Sequence, residues 1–588
     1  MTGKRIAVLG LGRSGLAVAR AALAFGASPI VYDRSTREQI LKPDVLDEAE
    51  QIGIDVVLGW DGAFVGPEHG LLTSGKITSA GQETRQTVAP GSEADAPGAS
   101  HGDTDGDSLT LEGLTGLKTR ATRVDLLIAN PAVDSRSPVL REAVANGVEV
   151  ISEVEFAFRI AKAPIIAITG TNGKTTTTVM NYLILQACGE KPLLCGNIFG
   201  SGYPEMTLTE AAMQASADQV LVAEISSFQL EWVRDFRPVS AGITNIVPDH
   251  QDRYDSFEDY ARTKMRIFSA QGEGAFAVVR AYDPVVKAPG QVSAVSHLRP
   301  RNRPRRGASG QGSGDLSAGR PSPSPLPERE GNPEVLTFGA AGEQAEITEE
   351  HIRILDKTIP LETLPFSEPH NYQNAGMAAL LAYGYLKWRA KREPESNAAT
   401  VLNAAEDEAE KKRAAKRNVY HPRTSAQVRP ALPEQIVEGL RHFHGVAHRM
   451  ERLGSRNGVE VINNSMCTNP DAVLKSALAV EDLGKHILIG GVNKGLDFAP
   501  LKGFFSNPRT RAYIYGSDRE QIQRMLGGTH PIFETMGEAF VAATQEARDG
   551  ETIMLSPGCA SSDQFQDFRD RGDVFRKIAK EWLDDTTD

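Results

Sequence analysis

The stretch Ile165-Ile-Ala-Ile-Thr169, followed by Gly170-Thr-Asn-Gly-Lys-Thr175, joins an apolar strand to a glycine-rich turn and the start of a helix. This order is typical of a phosphate-binding loop, in which backbone amides surround the anion, the lysine reaches the β and γ phosphates and the threonine holds Mg²⁺. The usual pattern has its first glycine where Ile168 stands, and here that glycine is displaced to Gly170. We predict a strand over 164–169, a helix from 176 onward and a site for the phosphates of ATP or GTP.

Candidate metal ligands follow the neighbouring predicted strands. Glu224 comes directly after a predicted strand at 219–223, where a carboxylate at the carboxyl end of a parallel strand would face the phosphates. The alternative is a surface acid. A predicted strand at 241–245 leads to His250, which alone is weak evidence for a ligand. Lys264 lies in a predicted helix at 257–268, and its ammonium would repel Mg²⁺ unless it were neutralised or modified, so chemistry alone favours a solvated lysine.

A second glycine-rich turn lies near the N-terminus. Gly10-Leu-Gly12-Arg-Ser-Gly15 follows a predicted strand at 5–9, and Asp33 closes the next apolar stretch. This pattern is typical of a Rossmann-like site, in which Asp33 accepts a hydrogen bond from a ribose hydroxyl. The motif does not separate NAD from another nucleotide diphosphate such as a UDP-sugar, and a tight turn without a ligand is the alternative.

Length and composition indicate a folded protein of several domains. The chain has 588 residues, which is more than one hydrophobic core usually supports. Its composition, 40% hydrophobic and 24% charged, is ordinary for a folded protein. A formal net charge of −12 argues against non-specific nucleic-acid binding. The four cysteines form no CxxC pair, and no apolar stretch reaches the roughly 18 residues of a membrane span. We therefore expect a cytoplasmic protein with no nucleic-acid partner and no membrane span.

Alternating strand and helix patterns predict α/β structure throughout, interrupted by three low-complexity insertions. The third α/β block has predicted strands at 459–463, 486–489, 511–515 and 552–555. The insertions cover about 74–120, 300–333 and 389–430. We interpret them as solvated segments without a catalytic role, the last of which could form an exposed charged helix or stay disordered.

Nine ordered motifs carry a resemblance to a known family: TGTNGKTTT, GNIFG, EISSFQLE, NIVPDHQDRY, YARTKMRIF, HNYQN, AHRME, NKGLDF and LSPGCASSDQF. Together they resemble the Mur ligases of peptidoglycan synthesis, and within them the group that adds D-glutamate. The resemblance implies three domains: a Rossmann-like UDP-binding domain at 1–152, a central P-loop ATPase at 153–445 and a Rossmann-like amino-acid-binding domain at 446–588. We expect a monomer.

The resemblance implies an ATP-dependent ligase that joins glutamate, in the D form, to UDP-N-acetylmuramoyl-L-alanine through an acyl phosphate, with ATP and two Mg²⁺. It assigns catalytic roles to Lys174, His250 and Lys264. Metal ligands would be Thr175, Glu224, His250 and a carbamylated Lys264. Nucleotide contacts would be Gly170, Thr171, Asn172, Gly173, Lys174, Thr175, Thr176, Asn371, Asn374, Arg449 and Asn464. Substrate contacts would be Gly12, Ser14, Asp33, Asn197, Ser226, Gln229, Thr468, Lys494, Ser561 and Phe568.

Two departures leave alternatives open. Where the family commonly shows NDSKATN, residues 463–469 read NNSMCTN, so Asn464 replaces an acid and Met466 replaces a lysine. Two charges near the reacting groups are lost. The amino-acid substrate could therefore be L-glutamate or another amino acid instead of D-glutamate, and the protein could be a non-catalytic ATP-binding relative instead of an enzyme. A nucleotide-dependent oxidoreductase could explain the N-terminal glycine turn but leaves the phosphate loop, Glu224 and His250 without a role.

Overall fold

The computed structural model describes residues 1–40, 43–60, 71–73, 76–78, 120–122, 124–281, 283, 285, 332–354, 357–404, 433–480, 484–528 and 530–585. They form an α/β structure with largely parallel sheets, which confirms the predicted fold class. The described residues divide into two compact units. The first contains those of 1–159 and 231–234, and the second those of 160–230, 235–301 and 325–588.

The first unit contains one parallel sheet with strand order β5-β3-β2-β1-β7-β8, in which β5 runs antiparallel to β3. A separate antiparallel pair joins β4 to β6. The strands are β1 Arg5–Leu9, β2 Ser28–Tyr32, β3 Asp55–Leu58, β4 Leu71–Thr73, β5 Lys76–Thr78, β6 Arg120–Thr122, β7 Leu126–Ala129 and β8 Glu149–Ser152. The helices are α1 Arg13–Ala24, α2 Pro43–Gln51, α3 Pro138–Ala145 and α4 Glu153–Ile160.

The second unit contains a sheet with strand order β10-β11-β9-β12-β13-β14-β15-β16-β17, parallel except for its last two pairings. Its strands are β9 Ile165–Thr169, β10 Pro192–Gly196, β11 Val220–Glu224, β12 Ser240–Ile243, β13 Phe276–Arg280, β14 Glu334–Gly339, β15 Ala345–Ile347, β16 His351–Ile354 and β17 Lys357–Pro360. Its helices are α5 Lys174–Ala187, α6 Leu208–Gln214, α7 Ser227–Leu230, α8 Phe257–Met265, α9 Pro369–Ala404 and α10 Pro433–Arg441.

A further sheet in the second unit has the order β18-β19-β23-β20-β21-β22, with β18 antiparallel to β19. The strands are β18 Glu451–Arg456, β19 Val459–Asn463, β20 Lys485–Gly490, β21 Thr510–Tyr515, β22 Ile532–Phe533 and β23 Thr552–Leu555. The helices are α11 Pro470–Leu478, α12 Lys502–Phe505, α13 Arg519–Leu526, α14 Met536–Glu546 and α15 Phe568–Asp584.

Strand β9 lies in the interior of its sheet, within the apolar core of the second unit. All five residues of β9 are buried, as expected for a parallel strand covered on both faces. Helix α5 packs on this sheet and against α9, whose buried face runs from Ala375 to Leu386. The strand and helix that flank the phosphate loop are therefore held by one continuous apolar cluster, which fixes the position of the loop between them.

The predicted insertions overlap the described residues at 76–78, 120, 332–333 and 389–404. Strand β5 lies inside the first predicted insertion and pairs with β3, so the prediction of an unstructured segment was wrong there. Helix α9 continues through 404, so the first part of the third predicted insertion is helical. The remainder of these two segments and most of 300–333 lie outside the described residues. The predicted domain boundaries stay a prediction.

Candidate active site

The phosphate loop has the backbone that its displaced glycine requires. Gly170 has φ 148° and Gly173 has φ 84°, both in the region that favours glycine. A Cβ at Gly173 would lie 2.5 Å from Asn374 Oδ1, and one at Gly170 would overlap Thr244 Oγ1. The loop then enters α5 at Lys174, two residues earlier than predicted, so the helix N-terminus points its free amides into the loop.

The first half of the loop is bound to the end of β12. Thr171 N donates to Asn245 O at 2.8 Å, and Asn172 N donates to Asn245 Oδ1 at 3.1 Å. Thr244 Oγ1 and Asn245 Nδ2 both donate to Asn172 O. The backbone amides of Thr171 and Asn172 are thus already hydrogen-bonded within the protein. A phosphate would therefore bind the amides from Gly173 onward.

Lys174 lies folded back over the loop. Its Nζ donates to Thr171 O at 2.9 Å. Removal of the ammonium from water lowers the pKa of Lys174, and the nearby Glu224 and Asp249 carboxylates partly offset that effect. An ammonium that exchanges a carbonyl oxygen for phosphate oxygens gains a charged partner, so this geometry suits a phosphate ligand.

Glu224 is the centre of a small polar cluster. It is the last residue of β11 rather than the residue after it, and it is 2% exposed. Thr175 Oγ1 donates to Glu224 Oε2 at 2.7 Å, and Asn197 Nδ2 donates to Glu224 Oε1 at 3.2 Å. The structure therefore brings together three residues that were predicted separately, two as metal ligands and Asn197 as a substrate contact.

His250 lies in an aromatic environment with a strained backbone at φ 51°. Its ring is 4.7 Å from that of Phe228 and 6.2 Å from that of Tyr260, and its Nε2 is 3.8 Å from Asp249 Oδ2. Burial lowers the pKa of His250 to about 3, although the Asp249 carboxylate acts in the opposite direction. The imidazole is therefore neutral near pH 7, as a metal ligand must be.

Lys264 is buried beneath the phosphate loop, and chemistry alone did not indicate this position. It is 2% exposed, its Nζ donates to Gly170 O at 2.7 Å, and it lies 4.8 Å from the ring centre of Tyr260. Burial, reinforced by the charge of Lys174, lowers its pKa well below the ordinary value. The interpretation of Lys264 as a solvated helix lysine was wrong, because the apolar side of α8 turns it inward.

Tyr260 is a residue that sequence reasoning missed. It is 1% exposed, and its hydroxyl lies 3.0 Å from Thr171 Oγ1. Its ring thus touches both predicted catalytic residues of this segment, while its hydroxyl reaches the phosphate loop. Its spacing of one helical turn from Lys264 is the signal that would have placed it on the same face.

A cavity of about 440 Å³ lies beside the phosphate loop and is large enough for a nucleoside. It is lined by Asn172, Gly173, Asn374, Arg449 and Asn464, all predicted nucleotide contacts, together with apolar side chains such as Phe338 and Met377. Asn374 accepts from Thr177 Oγ1 and donates to Asn371 Oδ1. Asn371 lines a neighbouring cavity with Thr176 instead.

Arg449 reaches the cavity from a strained segment. The flanking His448 and Met450 have φ 61° and 49°, an uncommon conformation for residues other than glycine. Burial lowers the pKa of the Arg449 guanidinium, while the Glu224 carboxylate acts in the opposite direction. The guanidinium therefore lies near Glu224, and its predicted role as a phosphate contact stays a prediction.

The predicted amino-acid contacts lie on loops at one edge of the third sheet. Thr468 directly precedes Asn469, the N-cap of α11; Ser561 is buried after β23; and Phe568 opens α15. Lys494 is half-buried, and its charge lowers the pKa of both Lys174 and His250. The structure thus brings Lys494 toward the phosphate loop.

Arg571 ties two of these loops together and was not predicted. It is completely buried in α15, and its guanidinium donates to Ser465 Oγ, Ser465 O and Cys559 O at 3.0, 2.9 and 3.1 Å. The loops it joins continue into Thr468 and Ser561. One arginine in an amphipathic helix carries no sequence signal for such a role.

Ser226 and Gln229 are bonded to each other. Gln229 Oε1 accepts from Ser226 N at 2.9 Å and from Ser226 Oγ at 3.1 Å. The pair closes the turn that begins α7, directly after Glu224. Their predicted role as substrate contacts stays a prediction.

In the first unit, Asp33 is bound to the glycine turn. Its Oδ2 accepts from Leu11 N at 2.6 Å, and its Oδ1 accepts from Ser35 N at 2.8 Å. Gly12 is the N-cap of α1, Ser14 is half-buried in its first turn, and Gly10 has φ 97°. The predicted turn is confirmed, whereas a ligand contact by Gly12, Ser14 or Asp33 stays a prediction.

The sequence profile of the Mur ligase middle domain matches residues 168–299. A UDP-N-acetylmuramoylalanine–D-glutamate ligase of Thermoanaerobacter sp. (strain X514) is 32% identical over 466 residues, 78% of this chain and 84% of the relative. The chain belongs to this ligase family. The protein of the same name from Caldanaerobacter subterraneus subsp. tengcongensis is 29% identical over 582 residues, 98% of this chain and 97% of the relative.

Among solved structures, the UDP-N-acetylmuramate–alanine ligase MurC of Thermotoga maritima aligns with a TM-score of 0.48 at 15% identity, covering 98% of this chain and all of that one. Among the described residues, no helix combines the length and the apolar character needed to cross a bilayer.

Asn464 and Met466, where the resemblance implies a change from the usual motif, both make contacts in the structure. Asn464 Nδ2 donates to Ser476 Oγ at 2.9 Å and Ser556 Oγ at 3.1 Å, and its Oδ1 accepts from Met450 N at 3.3 Å. Met466 packs against the central core, with its Sδ 4.0 Å from Thr175 Oγ1. Asn464 thus holds the backbone next to Arg449, and Met466 makes an apolar contact beside Thr175.

Proposed function

We propose that the protein is an ATP-dependent ligase that joins glutamate, in its D form, to UDP-N-acetylmuramoyl-L-alanine. The observation that carries the proposal is the Glu224 cluster, in which a buried carboxylate binds the hydroxyl of Thr175 directly beside Lys174. Membership of the ligase family supports the choice of substrates. The cavity beside Gly173 supports ATP as the phosphate donor.

The residues fit one Mg²⁺ at the phosphates. Within the described ranges, no group of three or more His, Cys, Asp or Glu side chains is arranged to hold a metal ion. Mg²⁺ at a nucleotide needs fewer, because one or two protein oxygens usually join phosphate oxygens and water. Thr175 and Glu224 offer these oxygens; when bound, the ion supplies positive charge at the phosphates. His250, kept neutral by burial, is our proposed ligand for a second ion.

The reaction proposed here has two steps. In the first, a carboxylate oxygen of the UDP-linked substrate attacks the γ phosphorus of ATP, the bond to the bridging oxygen breaks and ADP leaves. In the second, the glutamate nitrogen attacks the acyl carbon, phosphate leaves and the nitrogen loses a proton. Lys174 and Arg449 would neutralise charge on the phosphates, and the loop amides would orient the γ group.

We also propose that Lys264 acts as a carbamate. Its amine lies against Gly170 O in a site without bulk water, and it shares Tyr260 with His250. Loss of one proton from the ammonium would give the free amine, and addition of CO₂ to Nζ with loss of a second proton would form a carbamate. An anion able to orient a metal would then replace a cation beneath the phosphates. This change removes the repulsion between Lys264 and Lys174.

The substrate contacts are assigned by position. Lys494 is our proposed partner for a carboxylate of the incoming glutamate, with Thr468, Ser561 and Phe568 around it. Asn197, Ser226 and Gln229 lie next to Glu224 and would meet the muramoyl end, while Gly12, Ser14 and Asp33 would hold the UDP end. A three-domain organisation, a cytoplasmic location and a monomeric state complete the proposal.

Phosphate release tests the function directly. The protein would be assayed with ATP, Mg²⁺ and UDP-N-acetylmuramoyl-L-alanine against D-glutamate, L-glutamate and a panel of other amino acids. We expect release that requires both the acceptor and D-glutamate. Equal release without either substrate would contradict a ligase, turnover with L-glutamate or another amino acid would revise the substrate, and no release at all would favour a non-catalytic relative.

The carbamate has its own test. Lys264→Ala should abolish release, and a short carboxylic acid added to the assay should restore part of it by filling the vacated space with an anion. Lys577→Ala, at an exposed position on α15, is the matched control and should behave as the unaltered protein. A folded Lys264→Ala protein that no carboxylate rescues would count against this role.

A further inference from the structure

Asn172 is the residue at which the phosphate loop contacts the start of α11. Its backbone belongs to the loop and is held by Thr244 and Asn245 through three hydrogen bonds of 2.5–3.1 Å. The side chain is consequently aimed in a fixed direction, away from β12. It reaches two residues almost 300 positions further along the chain.

Both ends of the Asn172 amide are used in this contact. Nδ2 donates to Asp471 Oδ2 at 3.2 Å, and Oδ1 accepts from Asn469 Nδ2 at 3.3 Å. Asn469 is at the same time the N-cap of α11, since its Oδ1 accepts from Ala472 N at 2.8 Å. Asp471 also binds Lys475 Nζ at 2.7 Å. The first turn of α11 is therefore attached to the loop.

The attachment of α11 to the phosphate loop also affects the position of Thr468, the residue just before Asn469. Thr468, a proposed amino-acid contact, is joined directly to Asn469, so its backbone position depends on where α11 begins. The loop also lines the same cavity as Lys475 and Ser476 of α11. A hydrogen bond of this kind is strong enough to bias the position of a loop and weak enough to break.

We propose that Asn172 is a positioning residue that links the phosphate loop to the amino-acid loop through Asn469 and Asp471. The inference rests on the proposed function and deepens it. A nucleotide that orders the phosphate loop would orient the Asn172 amide, which in turn holds the first turn of α11 and Thr468. The substrate that this link affects is the amino acid, since the Asn172 side chain reaches the amino-acid loop through α11. The backbone N–H and C=O of Asn172 are already bound by Thr244 and Asn245, and the nucleotide meets the loop from Gly173 onward.

Hydrogen exchange on the full-length protein tests the link without turnover. With Mg²⁺ and a non-hydrolysable ATP analogue, the unaltered protein should show slower exchange in residues 168–178 and in 470–478. Asn172→Ala and Asp471→Ala should keep the first protection and lose the second. Asp471→Asn is the matched control, because it retains an acceptor for Asn172 and should keep both. Equal protection of 470–478 in all variants would overturn the proposal.

The two proposals fail in different ways in this experiment. Absence of protection in 168–178 of the unaltered protein would mean that the proposed nucleotide function is wrong, and the link with it. Protection of 168–178 without 470–478 would leave the nucleotide site standing and reject the link alone. A thermal melt of each variant without ligand shows whether it is folded.

Steady-state kinetics give a second measurement. Asp471→Ala, which loses one hydrogen bond to Asn172, should raise the KM for the amino acid about five- to tenfold, and Asn172→Ala, which loses two, should raise it at least as much. The KM for ATP should change less than about twofold in both variants. The double variant should be no worse than Asn172→Ala alone, because Asn172→Ala already removes the contact with Asp471. An equal rise in both KM values, or additive effects, would indicate general loop damage and contradict the link.

Discussion

At the scale of single residues, the phosphate loop depends on positive backbone φ angles, which the positions of its glycines predict. Gly170 and Gly173 were predicted from their places in the motif, and both have positive φ. The role of Glu224 was also predicted, because a carboxylate at a strand end is a local feature. What could not be predicted is that Thr175 and Asn197 bind its two oxygens, since these contacts join residues 49 and 27 positions away.

Gly173→Ala tests the loop backbone. The added methyl would lie 2.5 Å from Asn374 Oδ1 in a conformation that alanine avoids. The conformation alone should cost about 1–2 kcal/mol of stability, and the displaced Asn374 should weaken nucleotide binding further. Thermal unfolding and titration with an ATP analogue measure the two effects.

Gly342→Ala separates these effects, because Gly342 has φ 85° and no atom within 4 Å of an added Cβ. It should lose similar stability and retain nucleotide affinity. Equal affinity in both variants would show that the Asn374 contact does not matter for the nucleotide.

At the scale of elements, strands were predicted more closely than helix ends. Predicted strands at 5–9, 459–463 and 552–555 coincide with β1, β19 and β23, because each is a short apolar run. Strand β12 ends at Ile243 rather than at 245, since Asn245 is drawn away to bind the phosphate loop. Helix α8 ends at Met265, and 266–268 continue as a 3₁₀ turn.

Helix α15 carries the buried Arg571, and Arg571→Met tests its role as a connector of loops. The substitution keeps an apolar stem but leaves Ser465 O and Cys559 O without their donor in a buried place. We expect a loss of about 2–4 kcal/mol in the free energy of unfolding. Denaturant unfolding measures it, and Lys577→Met on the exposed side of the same helix is the control. A loss no larger than that of the control would contradict the connecting role.

At the scale of the whole molecule, nucleotide binding should raise the free energy of unfolding. An ATP analogue with Mg²⁺, at 100 times its dissociation constant, should stabilise the folded state by about 2.7 kcal/mol. Removal of Mg²⁺ with EDTA should reduce the shift, because Thr175 and Glu224 then lack the cation between them and the phosphates. Thermal melts with and without EDTA measure this.

Glu224→Gln should lose most of the Mg²⁺-dependent part of that shift, since an amide replaces the anionic ligand. Glu258→Gln, an exposed acid in the first turn of α8, should keep it. A shift that is unchanged in Glu224→Gln would mean that the carboxylate does not hold the metal.

The α/β class, the phosphate loop, the glycine turn at Gly10 and the family followed from the amino-acid sequence alone, because they depend on short segments whose glycines and apolar runs act locally. The folded structure was needed to show that Lys264 lies beneath Gly170, that Arg571 joins two loops and that Asn172 reaches Asp471. These contacts join residues about 90 to 300 positions apart, and their partners are chosen by packing of whole sheets and helices. A local pattern carries no information about such partners, so they emerge when the chain is folded.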